Sequence, residues 1–397
     1  MRPPVDPTSA FFFGSGRFAR WNHSSVTFCE QSLARPRGQW SKEDSGRKKE
    51  HPVTDAAETP FSLGYRMPAR FDEHARTLVT WPPIEEQVGT DVPGFRNEIE
   101  ALVRTISRFE AVTVVSDPQD TAEAKARCAD VAEVFEAAVD ACWIRDNGPI
   151  FVRNDAGEVA GVHFGFNGWG ERVDCDKTRT MPAKIVEHLG MTCFSTDFIG
   201  EGGGMSVDGE GTLITTEQNM RNVNRYAGMS RKTVEGYLHD FLGIETVIWL
   251  PLGLYEDAAT DGHVDNVVEF VAPGKVLAQV ADRSNPNHDL LQENLEILKS
   301  VRDAKGRPLD IIEMDVLPYS SKIPGKRLAI PYTNAYVLND AVLAPEVDPK
   351  LDDRGFSILQ EAYPGHEIVT CRSEWQAVGG GGIGCVTQQV PAAKAGG

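Results

Sequence analysis

From about Phe61 onward, short apolar, β-branched runs alternate with stretches of helical periodicity. Residues 77–81, 111–115, 150–152, 213–216, 247–250, 267–271, 276–280, 335–338, 341–344 and 367–370 read as strands. Residues 95–109, 121–139, 181–189, 232–242, 288–301 and 354–362 place apolar side chains three and four apart and read as helices. Strands and helices alternate throughout, and no Pro/Ser-rich linker follows residue 67. This pattern predicts one α/β domain over residues 61–397. A short strand group, a helix and a further strand recur, which points to a repeated unit.

The start of the chain differs. Residues 1–52 hold nine Lys and Arg against five Asp and Glu, are rich in Ser, Arg and Pro, and show no sustained periodicity. Residues 1–60 are therefore expected to be a disordered, dispensable extension, with Val53 or Met67 as alternative starts.

The formal net charge of -18 argues against a nucleic-acid surface and suits a small cationic ligand. No apolar run approaches the roughly 18 residues that span a bilayer, so no membrane helix is expected. The seven cysteines are scattered, and no pair has a C-x-x-C spacing. That excludes a zinc ribbon and predicts free thiols in a reducing, cytoplasmic compartment.

Reactive residue types concentrate in four turn-flanked segments: Trp143-Ile-Arg-Asp-Asn-Gly-Pro149, Glu201-Gly-Gly-Gly204, Asp261-Gly-His-Val-Asp-Asn266 and Gly379-Gly-Gly-Gly-Ile-Gly-Cys-Val-Thr-Gln-Gln389. Each adjoins a strand, which can hold side chains at a rigid sheet edge. The glycines before Cys385 let backbone approach a ligand closely, so Cys385 is a candidate nucleophile; the alternative is an inert thiol after a flexible turn. If the His263 segment is extended, His263 and Asp265 share a face and pair an imidazole with a carboxylate. A metal-binding or purely structural pair is the alternative. Asp146 sits at a tight turn, where a capping role is the simpler reading. Glu201 needs a cationic partner if it is buried. Together, three carboxylates, one histidine and one glycine-flanked cysteine suit a flat cation such as a guanidinium, which donates paired hydrogen bonds to carboxylates. A metal site would want more His or Cys ligands at short spacing, and none is predicted.

At these segments the chain resembles the agmatine deiminases and the bacterial peptidylarginine deiminases grouped with them, within the guanidine-modifying superfamily. The resemblance runs from about Tyr65 to Pro391. It is carried by Met67-Pro-Ala, Thr80-Trp-Pro-Pro83, Arg145-Asp-Asn-Gly-Pro149, Phe166-Asn-Gly-Trp-Gly170, Glu201-Gly-Gly, Val207-Asp-Gly-Glu-Gly-Thr212, Gly262-His-Val-Asp-Asn266 and Cys385-Val-Thr-Gln-Gln389. It implies a five-bladed, pseudo-symmetric α/β propeller of ββαβ-type units around a central site. It also implies Cys385 as nucleophile, His263 as general acid/base and Glu201 as the acid supporting it. Asp146 and Asp265 would hold the guanidinium, with Trp81 also binding substrate. The implied reaction is hydrolytic deimination through a covalent thiouronium on Cys385, with agmatine giving N-carbamoylputrescine and ammonia. It needs no cofactor or metal, and its partner is a small guanidine, not a membrane or nucleic acid; a homo-oligomer is allowed. Four departures stand out. Gly382 and Gly384 replace an Asn and a His usual before the cysteine, Asp261 stands where an Asn is common, Gly204 replaces a frequent Ser, and Asn222-Val-Asn-Arg-Tyr226 departs from the usual Asn/Arg-rich stretch. Competing readings are a deiminase of free or peptidyl arginine, a non-catalytic guanidine or polyamine binder, and a serine hydrolase built on Ser206, His263 and Asp265.

Overall fold

The computed structural model describes residues 58–83, 91–225, 228–320, 322–323 and 326–393. The expected N-terminal extension lies almost wholly outside them. Among the described residues no helix is long and apolar enough to cross a membrane.

Five sheets share one pattern: an antiparallel strand pair, a helix, and a third strand parallel to the second. In one sheet Ile150–Arg153 pairs antiparallel with Val159–Gly165, which after the helix Met181–His188 pairs parallel with Thr192–Ile199. The next uses Ser206–Val207, Thr212–Thr216, helix Arg231–Leu242 and Thr246–Leu250. Then come Val268–Ala272, Lys275–Gln279, helix His288–Ser300 and Asp310–Met314. A further sheet uses Tyr336–Val337, Ala341–Glu346, helix Pro349–Ala362 and Glu367–Arg372. The remaining sheet joins the two ends of the chain. His74–Thr80 runs antiparallel to the last strand, Thr387–Pro391, and parallel to Ala111–Ser116 beyond the helix Val92–Ile106.

The helices follow from their apolar spacing and their caps. In Val92–Ile106 the side chains of Phe95, Ile99, Leu102, Val103 and Ile106 form one buried stripe, and Asp91 caps the first turn by accepting from the Gly94 N–H at 2.9 Å. That stripe joins the apolar cluster that contains Trp81, Trp143 and Cys385. Glu98, buried on the same helix, accepts the backbone N–H groups of Trp375 and Gln376 and so anchors the segment leading to the Cys385 loop.

Two expectations fail. The helix expected over 121–139 ends at Cys128, and Glu133–Glu136 is an edge strand parallel to Ala111–Ser116. Val134 and Phe135 suit a pleated edge, and pairing with the strand beside them overrides the weak helical spacing. The His263 segment is not extended: Val264–Asn266 form a 3-10 turn.

The turn that enters each first strand carries chemistry. These turns are Ile144–Asn147, Gly202–Gly204, Val264–Asn266, Tyr332–Asn334 and the segment ending at Cys385. Neighbouring turns touch in succession. The Gly203 N–H donates to Asp146 Oδ1 at 2.9 Å, the Gly384 N–H to the Asn334 carbonyl at 3.0 Å, and the Arg145 N–H to the Cys385 carbonyl at 3.1 Å.

Candidate active site

Cys385, His263, Asp265, Asp146 and Glu201 are all buried, and the entry turns bring them into one site. The carboxylates of Asp146 and Asp265 act electrostatically on both the His263 imidazole and the Cys385 thiol. His263 Nε2 lies 2.7 Å from Glu201 Oε2. Its Nδ1 faces Asp146 Oδ1 at 3.7 Å, too far for a hydrogen bond, which leaves that nitrogen available to a ligand.

Glu201 meets the requirement set by its burial. Arg225 grips it with two parallel hydrogen bonds of 2.8 Å, Nε to Oε1 and Nη2 to Oε2, and Asn219 adds a third donor at 3.2 Å. Burial alone would raise the Glu201 carboxyl, but Arg225 and His263 outweigh it and hold it at about 2. Asp146 is more than a turn cap. It accepts from the Trp169 indole at 3.0 Å and from the Gly203 N–H. Burial raises its carboxyl nonetheless, against the pull of His263.

Burial works against a charged His263, yet Asp146, Glu201 and Asp265 win and raise the imidazole to about 10. Burial pushes Asp265 up to about 7, with His263 and Arg70 opposing. Both Asp265 oxygens are buried with no hydrogen-bond donor among the described residues. Burial also raises the Cys385 thiol well above its ordinary value, and Asp265 and Asp146 add to the shift. The thiolate is therefore disfavoured until a cation arrives.

The Cys385 segment is fixed from several sides. Arg145, fully buried, donates to the Gly384 carbonyl at 3.2 Å and to Gln389 at 2.8 Å rather than forming an ion pair. Asn334 Oδ1 accepts from the Gly384 N–H at 3.0 Å and lies 3.6 Å from the Cys385 sulfur. Glycine is required here for space. A Cβ on Gly381 would meet the Trp143 ring at 2.4 Å, and one on Gly382 would meet Asn334 Oδ1 at 2.7 Å. At Gly384 the place of a side chain is flanked by Arg70 Nη2 and Asn334 Oδ1, each 3.0 Å from where a Cβ would lie. Beside the glycine run a cleft opens, lined among others by Glu256, Asp257, Ala259, Asn266 and Arg327.

Trp81 lies in the same apolar cluster as Cys385 and Trp143, fully buried, with the guanidinium groups of Arg96 and Arg127 over its ring at 5.8 and 5.1 Å. Ser206 is committed elsewhere: its hydroxyl donates to Glu269 at 2.9 Å. Among the described residues no group of three or more His, Cys, Asp or Glu side chains could hold a metal ion. Arg225, Asn219, Trp169 and Asn334 were missed as individual residues. Trp169 and Arg225 lie in segments the sequence reading had noticed, whereas only the repetition of entry turns could have led to Asn334.

The family model described as Porphyromonas-type peptidyl-arginine deiminase matches residues 66–391. An agmatine deiminase of Pseudomonas aeruginosa is 37% identical over 367 residues, covering 86% of this chain and all of that one. The agmatine deiminase of Pseudomonas fluorescens is 37% identical over 360 residues, 84% of this chain and 97% of that one. The solved agmatine deiminase of Enterococcus faecalis superposes with a TM-score of 0.82 at 29% identity, covering 85% of this chain and 99% of that one. The chain belongs to the Porphyromonas-type peptidyl-arginine deiminase family and is a hydrolase acting on the C–N bonds of linear amidines.

Proposed function

We propose that the protein deiminates agmatine, giving N-carbamoylputrescine and ammonia through a covalent intermediate on Cys385. The observation that carries this reading is the Asp265 carboxylate: buried, without a donor among the described residues, and beside a buried thiol and imidazole. Buried carboxylates need partners. A guanidinium supplies donors and a positive charge at once, and the relatives named above are agmatine deiminases.

In this mechanism Asp146 and Asp265 clamp the guanidinium. Its charge draws the Cys385 thiol toward thiolate, and because His263 already carries its own proton the thiol proton leaves to solvent as the cation enters. The sulfur attacks the guanidinium carbon and forms a C–S bond. His263, charged at neutral pH, donates its proton to the departing nitrogen, the C–N bond breaks and ammonia leaves. A thiouronium remains on Cys385. His263, now neutral, takes one proton from water as the oxygen adds to the same carbon; the C–S bond then breaks, the hydroxyl proton passes to solvent, where ammonia takes it up, and the ureido product departs with the thiolate and the His263 imidazolium restored. Glu201, held ionised by Arg225, keeps the imidazole oriented. Trp81 helps shape the apolar wall near the sulfur. The substrate tail leaves along the cleft beside the glycine run, where Glu256 pairs with Arg327 at 3.3 Å and Asp257, which accepts from the His263 backbone and Asn266, adds a second carboxylate. That balance favours an amine tail over a carboxylate. The five repeated sheets, the successive contacts of their entry turns and the pairing of the chain's two ends support a closed five-bladed propeller with the site on its axis.

Ammonia and ureido product are assayed with agmatine, free arginine and a peptidyl-arginine, with Cys385→Ala as control. Agmatine is expected to give the highest kcat/KM and Cys385→Ala no turnover. Tight binding of agmatine with no turnover of any of the three would establish a binding protein instead.

A further inference from the structure

Around His263 runs a closed circuit of polar contacts that reaches well beyond its own carboxylates. From His263 Nε2 it passes to Glu201 at 2.7 Å and, through the paired 2.8 Å bonds, to Arg225. Arg225 Nη1 donates to Asp261 Oδ2 at 2.6 Å. Arg172 forks onto the same carboxylate with two bonds of 2.7 Å, and also donates to the backbone carbonyl of Trp169. The Trp169 indole donates to Asp146 at 3.0 Å, and Asp146 returns to His263 Nδ1 at 3.7 Å.

The two loops joined by Arg172 and Asp261 both hold residues in backbone that a Cβ disfavours. Trp169 has φ 55° and Glu171 φ 62° on one side, and Asp261 has φ 62° on the other. Such conformations persist where neighbouring contacts over-determine them, and the Arg172–Asp261 fork is a contact between these two loops. An Asn at 261 tolerates the same φ but lacks the charge to hold two guanidinium groups. An Asp there thus serves the ion pairs as well as the turn.

We infer that Arg172 and Asp261 are a positioning pair for His263: their fork ties the loop that carries Trp169 to the loop that carries His263 and so holds both carboxylate partners of the imidazole in place. The inference rests on the reading of His263 as the proton carrier of a guanidine deiminase. The charged groups facing His263 are Glu201, Asp146, its own neighbour Asp265, and Asp257, whose carboxylate accepts the His263 backbone N–H at 2.9 Å. Arg225 stands behind Glu201 and Arg70 acts on Asp265. The Cys385 thiol shares the site.

The test compares Asp261→Asn, Arg172→Gln and the double variant in the full chain. Each single change is expected to lower kcat for agmatine by about ten- to hundredfold with KM little altered, because a misplaced catalytic group loses rate steeply. Asp261→Asn removes an anion and moves the basic limb of the kcat profile to lower pH. Arg172→Gln removes a cation and moves it to higher pH. The double variant is expected to bring the limb back toward wild type, with a loss in kcat no larger than that of the worse single variant, as expected for residues acting as a unit. NMR titration of the His263 imidazole reads the same opposed displacements without substrate. Should Asp261→Asn not fold, Arg172→Gln decides the matter, since that side chain is a quarter exposed. Wild-type kcat in both single variants, or limbs that stay put or move the same way, overturns the inference. A wild type that turns over no guanidine while its variants still displace the His263 titration in opposite directions would sink the deiminase reading and leave the positioning pair standing.

Discussion

His263 carries its charge because three carboxylates outweigh its burial, whereas Asp265 is burdened by burial with no donor among the described residues to relieve it. These opposed environments set a pH dependence. In the proposed mechanism Asp265 must be ionised to hold the cation; its value is raised to about 7, so it gains a proton as pH falls through that point. In the same mechanism His263 must be protonated to serve the leaving nitrogen; its value is raised to about 10, so it would lose that role as pH rises through that point. The kcat/KM profile, which reports the free enzyme, is therefore expected to rise through about pH 7 and to fall near 10. A profile flat between pH 5 and 8 would contradict this assignment. Gly203 offers a sharper probe. A Cβ there would lie 2.4 Å from His263 Nδ1 and 2.9 Å from Asp146 Oδ1. Gly203→Ala is expected to lower kcat by about a hundredfold while circular dichroism stays unchanged, since displacing a catalytic group slightly is enough to forfeit its alignment. At this scale the sequence was informative where chemistry is local. Residue type and glycine flanks marked Cys385, His263, Asp146, Asp265 and Glu201 as candidates, their roles came from the family resemblance, and the need of Glu201 for a cation followed from burial. The identity of that cation, Arg225, depends on a contact between residues 24 apart that no local pattern encodes.

The repeated units differ in how tightly their helices pack, and this gives one substitution two opposite outcomes. Gly355, in Pro349–Ala362, faces Tyr332, and a Cβ there would meet the ring at 2.6 Å. The Tyr332 hydroxyl donates to Asp352 at 2.6 Å, which ties this helix to the entry turn carrying Asn334. Gly355→Ala is expected to destabilise the fold by about 1–3 kcal/mol, as overpacking does. Gly236, inside Arg231–Leu242, would present its Cβ to open space, with nothing within 4 Å. Gly236→Ala is expected to stabilise the fold by about 0.5–1 kcal/mol through helix propensity. Thermal or denaturant unfolding of both variants checks the pair, and equal effects would mean the helix packing is misjudged. Elements with strong periodicity and clean ends were legible, as in Ala111–Ser116 and His288–Ser300. Glu133–Glu136 was not, because an edge strand of four residues takes its structure from the strand it joins. Nor was the Val264–Asn266 turn; the extended conformation that would put His263 and Asp265 on one face is not adopted, and Asp265 acts on the imidazole only electrostatically, from within the turn.

For the molecule as a whole, the first and last described strands share one sheet, and Cys385 lies two residues before the last strand. Thr387–Pro391 pairs with His74–Thr80, and just before it Cys385 meets Arg145 and Asn334. The alternation of strands and helices foretold an α/β fold and a repeat. The long-range pairing of first and last strands was beyond it, because strand register across more than 300 residues is set by packing and not by local sequence. The most direct test of the whole account is rapid acid quench of the enzyme during turnover of agmatine, followed by mass spectrometry of the peptide containing Cys385. The account predicts a transient adduct on that sulfur with the mass of agmatine less ammonia, lost when Cys385 is replaced by Ala together with all turnover. Ammonia production that persists in Cys385→Ala, or an adduct formed on another residue, would contradict it.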